Sequence, residues 1–324
     1  MSLEEFLREW HSDSQTVLVH TSGSTGKPKP MCVEKRRMEA SARVTCDFLG
    51  LTEGETALLC LPLDYIAGKM MVVRSLVRGM RLISVEPAGT PRWEGSVDLA
   101  AMVPLQVWNL LQTADGRQRL QNVRHLIIGG GAIDDGLAAE LRCFPNSVWS
   151  TYGMTETLSH IALRRLNGSS ASEWYTPFAG VSLRLNADGC LVIDAPAVHD
   201  GELVTNDIAE LQPGGTGFRI LGRRDNIICS GGLKIQAEEV ERLLSGRLAG
   251  RYIVTRCRDA RLGEAVVLLT EDGEAEAEAV CRRVLPRHWC PRRFLHVGHI
   301  PMTATGKPAR REAESLAEWS LGKQ

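Results

Sequence analysis

The chain lacks any dominant charge: 38 Lys and Arg stand against 39 Asp and Glu, a formal net charge of −1. That balance supplies no general attraction to nucleic acid or to an anionic membrane, so any phosphate must be held by a local site. Nor does any apolar run approach the ~20 residues needed to cross a bilayer. The start, MSLEEFLREWHS, is acidic and amphipathic, where a basic leader would be followed by an apolar segment. Nine cysteines (Cys32, Cys46, Cys60, Cys143, Cys190, Cys229, Cys257, Cys281 and Cys290) include no C-x-x-C pair. Their odd number and irregular spacing argue against a disulfide framework or zinc site and for reduced, mostly buried thiols. Internal repeats and low-complexity linkers are also missing. These absences leave a cytoplasmic globular protein with no nucleic-acid or membrane partner; a homo-oligomer stays open.

What is present is 324 residues, 44% hydrophobic, enough for two domains at about 100–200 residues each. Short apolar runs at 16–20, 55–63, 80–85, 99–103, 123–130 and 147–153 read as buried strands. Helical patterns lie between them: KRRMEASARVTCDFLG, IAGKMMVVRSLVRG, PLQVWNLLQTA and DDGLAAELRCF. This alternation predicts an α/β layer with a mainly parallel sheet. From about Trp174 the texture turns to short strands with Gly turns, a β-rich subdomain over about 174–222. After GRRD come a helix, two strands, an acidic helix at 274–285, the strand RFLHVG, a Gly-Lys loop and a last helix at 309–320, a compact α+β module. The expected domains are 1–222 and 223–324.

The first chemical feature is TSGSTGK, Thr21 to Lys27, directly after a predicted strand. Backbone N–H groups, hydroxyls and a cation in one flexible loop can wrap a polyphosphate, although a solvated Gly/Ser turn reads the same in isolation. It is not a G-x-x-x-x-G-K-[ST] loop, because Thr21 and Pro28 stand where glycine and a Mg²⁺-binding hydroxyl are needed.

TSGSTGKPK resembles the phosphate loop of the adenylate-forming superfamily of acyl-CoA synthetases, luciferases and adenylation domains. Five further stretches follow in that family's order: IIGGGAI (127–133), STYGMTET (150–157), LVTNDIA (203–209), GRRDNIICSGGLKI (222–235) and PMTATGKPARR (301–311). The resemblance implies a larger N-terminal domain, a small mobile C-terminal lid hinged near Asp225, and ATP, Mg²⁺ and coenzyme A as co-substrates or cofactor of acid activation. By the same resemblance Thr21, Ser22, Gly23, Ser24, Thr25, Gly26 and Lys27 would hold the β and γ phosphates. Gly129, Gly130 and Gly131 would line the acyl and adenine pocket, with Tyr152 and Gly153 beside the adenine. Thr155 would bond the α-phosphate, Glu156 would carry Mg²⁺, and Asp207 and Arg223 would meet the ribose. Lys307 would bridge the acid and the α-phosphate as charge develops; as an isolated residue it reads as a surface lysine in a turn. Asp225 would be the hinge, or simply a turn aspartate, and Gly231, Gly232 and Lys234 would serve the coenzyme A step.

CLPLDYIAGKMMVVRSLVRGM (60–80) resembles the corresponding segment of o-succinylbenzoate-CoA ligases of menaquinone biosynthesis. Their small-molecule acid carries a second carboxylate, so a cation in the pocket is expected. Arg74 and Lys69 are the candidates, with Tyr65, Ser159 and His160 as further lining. A solvated helix face for Arg74 and mere packing for His160 are the alternatives. Only twenty residues precede the phosphate loop, where typical members have more than a hundred, which suggests an absent N-terminal subdomain. Tyr65, Asn206, His20 and Cys229 depart from the family pattern. Another aromatic or short acyl acid, loading of a carrier protein, and a non-catalytic nucleotide-binding remnant therefore remain open.

Overall fold

Strands buried on both faces organise the larger part of the chain, whose computed structural model describes residues 1–20, 30–131, 133, 135–303 and 308–321. Helix α1 (Leu3–Trp10) leads into a hairpin of β1 (Thr16–His20) and β2 (Pro30–Glu34), followed by α2 (Lys35–Leu49). Next come β3 (Thr56–Leu59), α3 (Ile66–Arg78), β4 (Arg81–Ser84), β5 (Val97–Met102), α4 (Pro104–Leu111), α5 (Ala114–Gln121) and β6 (Val123–Ile128). Helix α6 (Asp135–Leu141), β7 (Ser147–Gly153), β8 (His160–Arg165) and β9 (Thr176–Pro177) complete a seven-stranded sheet of order β4-β3-β5-β6-β7-β8-β9. Its first five strands are parallel, and β8 runs antiparallel between β7 and β9.

Alternation along these strands feeds two cores. Ala57 and Leu59 of β3, Leu99 of β5 and Ile127 of β6 pack with α1, α2 and α3, whereas Leu58, Ala100, Met102, Leu126 and Ile128 pack with α4, α5 and α6. Period-two side-chain placement, with helices on both faces, makes each strand a continuous apolar run in the sequence. The first core also takes Leu191, Ile193, Ala209 and Phe218 from an antiparallel sheet of β10 (Ser182–Leu185), β11 (Cys190–Asp194), β12 (Glu202–Leu211) and β13 (Phe218–Arg223).

The remaining elements are β14 (Ile227–Ser230), β15 (Leu233–Gln236), α7 (Ala237–Leu244), β16 (Tyr252–Asp259), β17 (Gly263–Thr270), α8 (Glu274–Val284), β18 (Arg293–His296) and α9 (Arg310–Leu321). Val254, Val266 and Leu268 face α7 and α8, while Cys257, Ala265 and Val267 face Ala317 of α9. This sheet therefore has apolar packing of its own on both sides.

Several elements depart from the sequence reading, β2 and β15 among them. The segment after PLQVWNLLQTA continues as α5, because the Thr113 hydroxyl accepts the Gly116 N–H at 3.1 Å and caps a second helix. Asp115-Gly116 reads locally as a turn, which hides it. HIALRR forms β8, and β9, inside the stretch read as β-rich, pairs with β8 in the central sheet. None of the helices described is long and apolar enough to cross a membrane.

Candidate active site

The parallel strands end together, and open α/β sheets bind ligands beyond those carboxyl ends. Gly129 follows β6, its N–H held by Met102 O at 3.0 Å. A Cβ there would stand 2.2 Å from Thr151 Oγ1. Gly130 and Gly131 continue beside Val103 and Pro104. At the end of β7, a Cβ on Gly153 would lie 2.3 Å from Ser159 O, so only glycine lets β7 and β8 close here. Thr155 and Glu156 sit on the short turn Thr155–Thr157. The chain then reverses through Leu158, at φ 63° and ψ −37°, with Ser159 N–H donating to Thr157 O at 2.7 Å. A γ-turn of this hand is strained for a leucine. Burial of the Leu158 side chain at 3% exposure and the Thr157 hydroxyl, which accepts the Met154 N–H and lies within hydrogen-bond reach of both Met154 O and Ser159 O for its one hydrogen, hold it.

A second group joins the central sheet to the antiparallel one. Tyr152 Oη donates to Asp207 Oδ2 at 2.7 Å, while its ring packs against Tyr175 and Phe218. Burial, and then the Asp207 charge, raise the tyrosine pKa, so the phenol keeps its proton. Arg223 Nη1 donates to Asp207 Oδ1 at 3.2 Å and Nη2 to Asp225 Oδ2 at 3.3 Å. Asn206 also reaches Asp225 at 3.3 Å, and Arg224 bonds Asn206 Oδ1 and Asp188. Asp207 is thus a preorganised acceptor on the rim, and Asp225 an exposed one.

The third group is buried. Arg74, on α3, is 2% exposed, which removes the solvated-face alternative. Its Nη2 donates to Ser159 Oγ at 2.6 Å, Nη1 has only the Met71 sulfur at 3.7 Å, and Nε has no partner. No carboxylate among the described residues pairs with it. Burial pushes its pKa down to about 10, which leaves it charged at neutral pH. His160 is also buried; its Nδ1 lies 3.3 Å from Ser159 Oγ and its Nε2 3.1 Å from Thr45 Oγ1. Burial, with the Arg74 charge beside it, holds the imidazole well below its ordinary pKa and therefore neutral. Thr45 was not singled out in the sequence, where the available signal is Ser41 and Thr45 on the apolar face of α2 with Met38, Ala42, Cys46 and Leu49.

The other expected residues are placed as follows. Lys69 is 1% exposed, with Nζ 3.6 Å from Glu9 Oε2 and 4.8 Å from the Phe6 ring centre, so its charge is spent on docking α1 to α3. Tyr65 precedes α3 and bridges to His20 at the end of β1. Gly231 and Gly232 form the tip of the β14–β15 hairpin, and Lys234 is exposed on β15. Thr21, Ser22, Gly23, Ser24, Thr25, Gly26, Lys27 and Lys307 lie outside the described residues. Glu156 is exposed and has no cation partner among the described residues, a donor suited to Mg²⁺ shared with phosphate oxygens.

Residues 4–207 match the family described as AMP-binding enzyme. The 2-succinylbenzoate–CoA ligase of Bacillus cereus is 25% identical over 358 residues, spanning 96% of this chain and 72% of that one. The solved acyl-CoA synthetase (AMP-forming)/AMP-acid ligase II-like protein of Dyadobacter fermentans is 32% identical, with a TM-score of 0.66 over 95% of this chain and 91% of that one. The o-succinylbenzoate CoA synthetase of Bacillus subtilis, solved with the acyl-adenylate intermediate OSB-AMP, is 25% identical, with a TM-score of 0.74 over 91% of this chain and 68% of that one. The strand-end glycines, the Thr155–Glu156 turn and the Tyr152–Asp207 pair stand in the matched segment, and the chain belongs to the family of AMP-binding enzymes.

Proposed function

We propose that this protein is an AMP-forming acid–coenzyme A ligase whose acid is o-succinylbenzoate. The observation that carries the acid is Arg74: a buried guanidinium with a free Nε and no carboxylate partner among the described residues, bonded to the residue three beyond Glu156. An isolated buried charge is costly, and an anionic ligand offsets that cost. An acid with two carboxylates offers one group to be activated and one to pair with Arg74. The names of the similar proteins from Bacillus cereus and Bacillus subtilis support the same choice.

The chemistry requires the acid carboxylate to attack the α-phosphorus of ATP, expelling pyrophosphate, after which the thiolate of coenzyme A displaces AMP from the acyl-adenylate. Both first reactants are anions, so the protein's part is positioning and charge neutralisation. Ser22, Ser24, Thr25 and Lys27 hold the β and γ phosphates, and Thr155 bonds the α-phosphate. Asp207, oriented by Tyr152 and Arg223, accepts the ribose hydroxyls, with Gly129, Gly130, Gly131 and Gly153 giving the nucleotide close approach to backbone. Lys307 supplies positive charge between the two reacting anions. Mg²⁺ held by Glu156 would neutralise phosphate charge. Rotation about Asp225 would bring Gly231, Gly232 and Lys234 to the pocket for the thiol step.

The test is pyrophosphate release with MgATP, coenzyme A and each of o-succinylbenzoate, benzoate and hexanoate. Release and thioester formation with o-succinylbenzoate alone is the expected result, with Lys307→Ala slowing adenylate formation by about 10²-fold or more. Equal release with benzoate overturns the assigned acid, and no release with any of the three moves the reading to another acid or to a nucleotide-binding remnant.

A further inference from the structure

The hydroxyls around Arg74 have a direction that can be counted. Thr45 Oγ1 donates its one hydrogen to Ser41 O at 3.0 Å, so toward His160 Nε2, at 3.1 Å, it can only accept. That makes His160 the Nε2–H tautomer and leaves Nδ1 as an acceptor. Ser159 Oγ, 3.3 Å from Nδ1, then gives its hydrogen to the imidazole and offers only lone pairs to Arg74 Nη2 at 2.6 Å. The opposite tautomer would put two N–H donors on Ser159 and leave the serine hydrogen with no acceptor among the described residues. Counted over the described residues, only the first arrangement gives each of these hydrogens an acceptor.

We propose that Thr45, on α2, is a positioning residue for acid selection: through His160 it engages the Ser159 hydrogen, which holds the serine oxygen against Arg74 Nη2 and leaves the remaining N–H groups of the guanidinium to receive a carboxylate. This rests on the reading that Arg74 binds the second carboxylate. The relay runs from α2 through β8 to α3, joining elements that the central core packs together. None of its three supporting side chains adds a negative charge, so the guanidinium stays uncompensated until an anion arrives.

Two measurements test it. In protein labelled with ¹⁵N-histidine, long-range proton–nitrogen correlation spectra should show His160, assigned by its loss in His160→Gln, as the Nε2–H tautomer, and Thr45→Val should change that pattern. A parent in the Nδ1–H form, or an unchanged pattern in Thr45→Val, overturns the relay. In adenylation assays, Thr45→Val should raise KM for o-succinylbenzoate about tenfold, with kcat and the ATP KM held, and leave the aliphatic monomethyl ester unaffected. Thr45→Ser, which restores the hydroxyl, should return the parent value. Equal losses for acid and ester overturn the selective role, because a general packing defect does not distinguish them. A parent enzyme that takes acid and ester alike, or neither, removes the proposed function and the selective role with it. A discriminating parent with an unaffected Thr45→Val variant removes only the role of Thr45.

Discussion

Arg74 separates stability from function within one side chain. Its charge is buried without a carboxylate, whereas an apolar group of similar length would sit there without desolvation cost. Arg74→Met should therefore leave the melting temperature unchanged or raise stability by about 1–4 kcal/mol, while o-succinylbenzoate loses its advantage over its monoester; thermal unfolding beside the pyrophosphate assay reads both. A large drop in melting temperature would instead show that Arg74 is a structural cation. The glycines grade themselves in the same way. Gly153→Ala meets backbone at 2.3 Å, whereas Gly129→Ala meets the movable Thr151 hydroxyl. The first should cost about 3 kcal/mol and the second about 1 kcal/mol in denaturant unfolding. The glycines were legible as motif letters, but the atom each one makes room for was not, because Ser159 and Thr151 reach them only once β7 has paired with β8 and β6.

Among the helices, α1 shows how a local signal can be clear and its partner invisible. Its capping box, with Glu5 N–H bonded to Ser2 Oγ at 3.2 Å and Ser2 N–H to Glu5 Oε2 at 2.6 Å, is written in the first five residues. Its dock, Lys69 beneath Glu9 and Phe6, lies sixty residues on. The sequence reading offered Lys69 beside Arg74 as a candidate cation for the acid; in the structure its ammonium meets Glu9 and Phe6 of α1. Lys69→Ala should loosen α1 by about 1–3 kcal/mol, seen as faster amide exchange confined to residues 3–10, with KM for the acid unchanged. An increase in that KM would return Lys69 to the pocket.

Two histidines, His160 buried and His125 half-buried, set how the protein as a whole responds to acid. Burial, with Arg124 and Arg165 nearby, lowers His125 to about 4, and His160 is held well below its ordinary value. Both groups have depressed folded pKa values, so the unfolded chain binds more protons than the native one below about pH 6.5. Their contribution is fully present above that pH and is lost as pH falls, for His125 through the window down to about 4. The melting temperature should fall across that window, and His125→Asn should flatten part of the fall; an identical slope in the variant would assign the effect to carboxylates such as Glu34 and Glu202, whose arginine partners lower their pKa.

Sequence alone determined what depends on neighbours along the chain: the alternation of buried strands and helices, the turn from β7 into Thr155–Glu156, and the order of those motifs that lie within residues 4–207, which the family match covers. Those features arise from periodicity and from local backbone chemistry, which a string of residues records directly. Tertiary structure decided which polar side chains are left in the dark together. Thr45, Arg74, Ser159 and His160 are up to 115 residues apart, yet form one hydrogen-bonded group. Burial strips Thr45, Arg74 and His160 of water, so their few remaining partners fix charge, tautomer and the direction of the bonds.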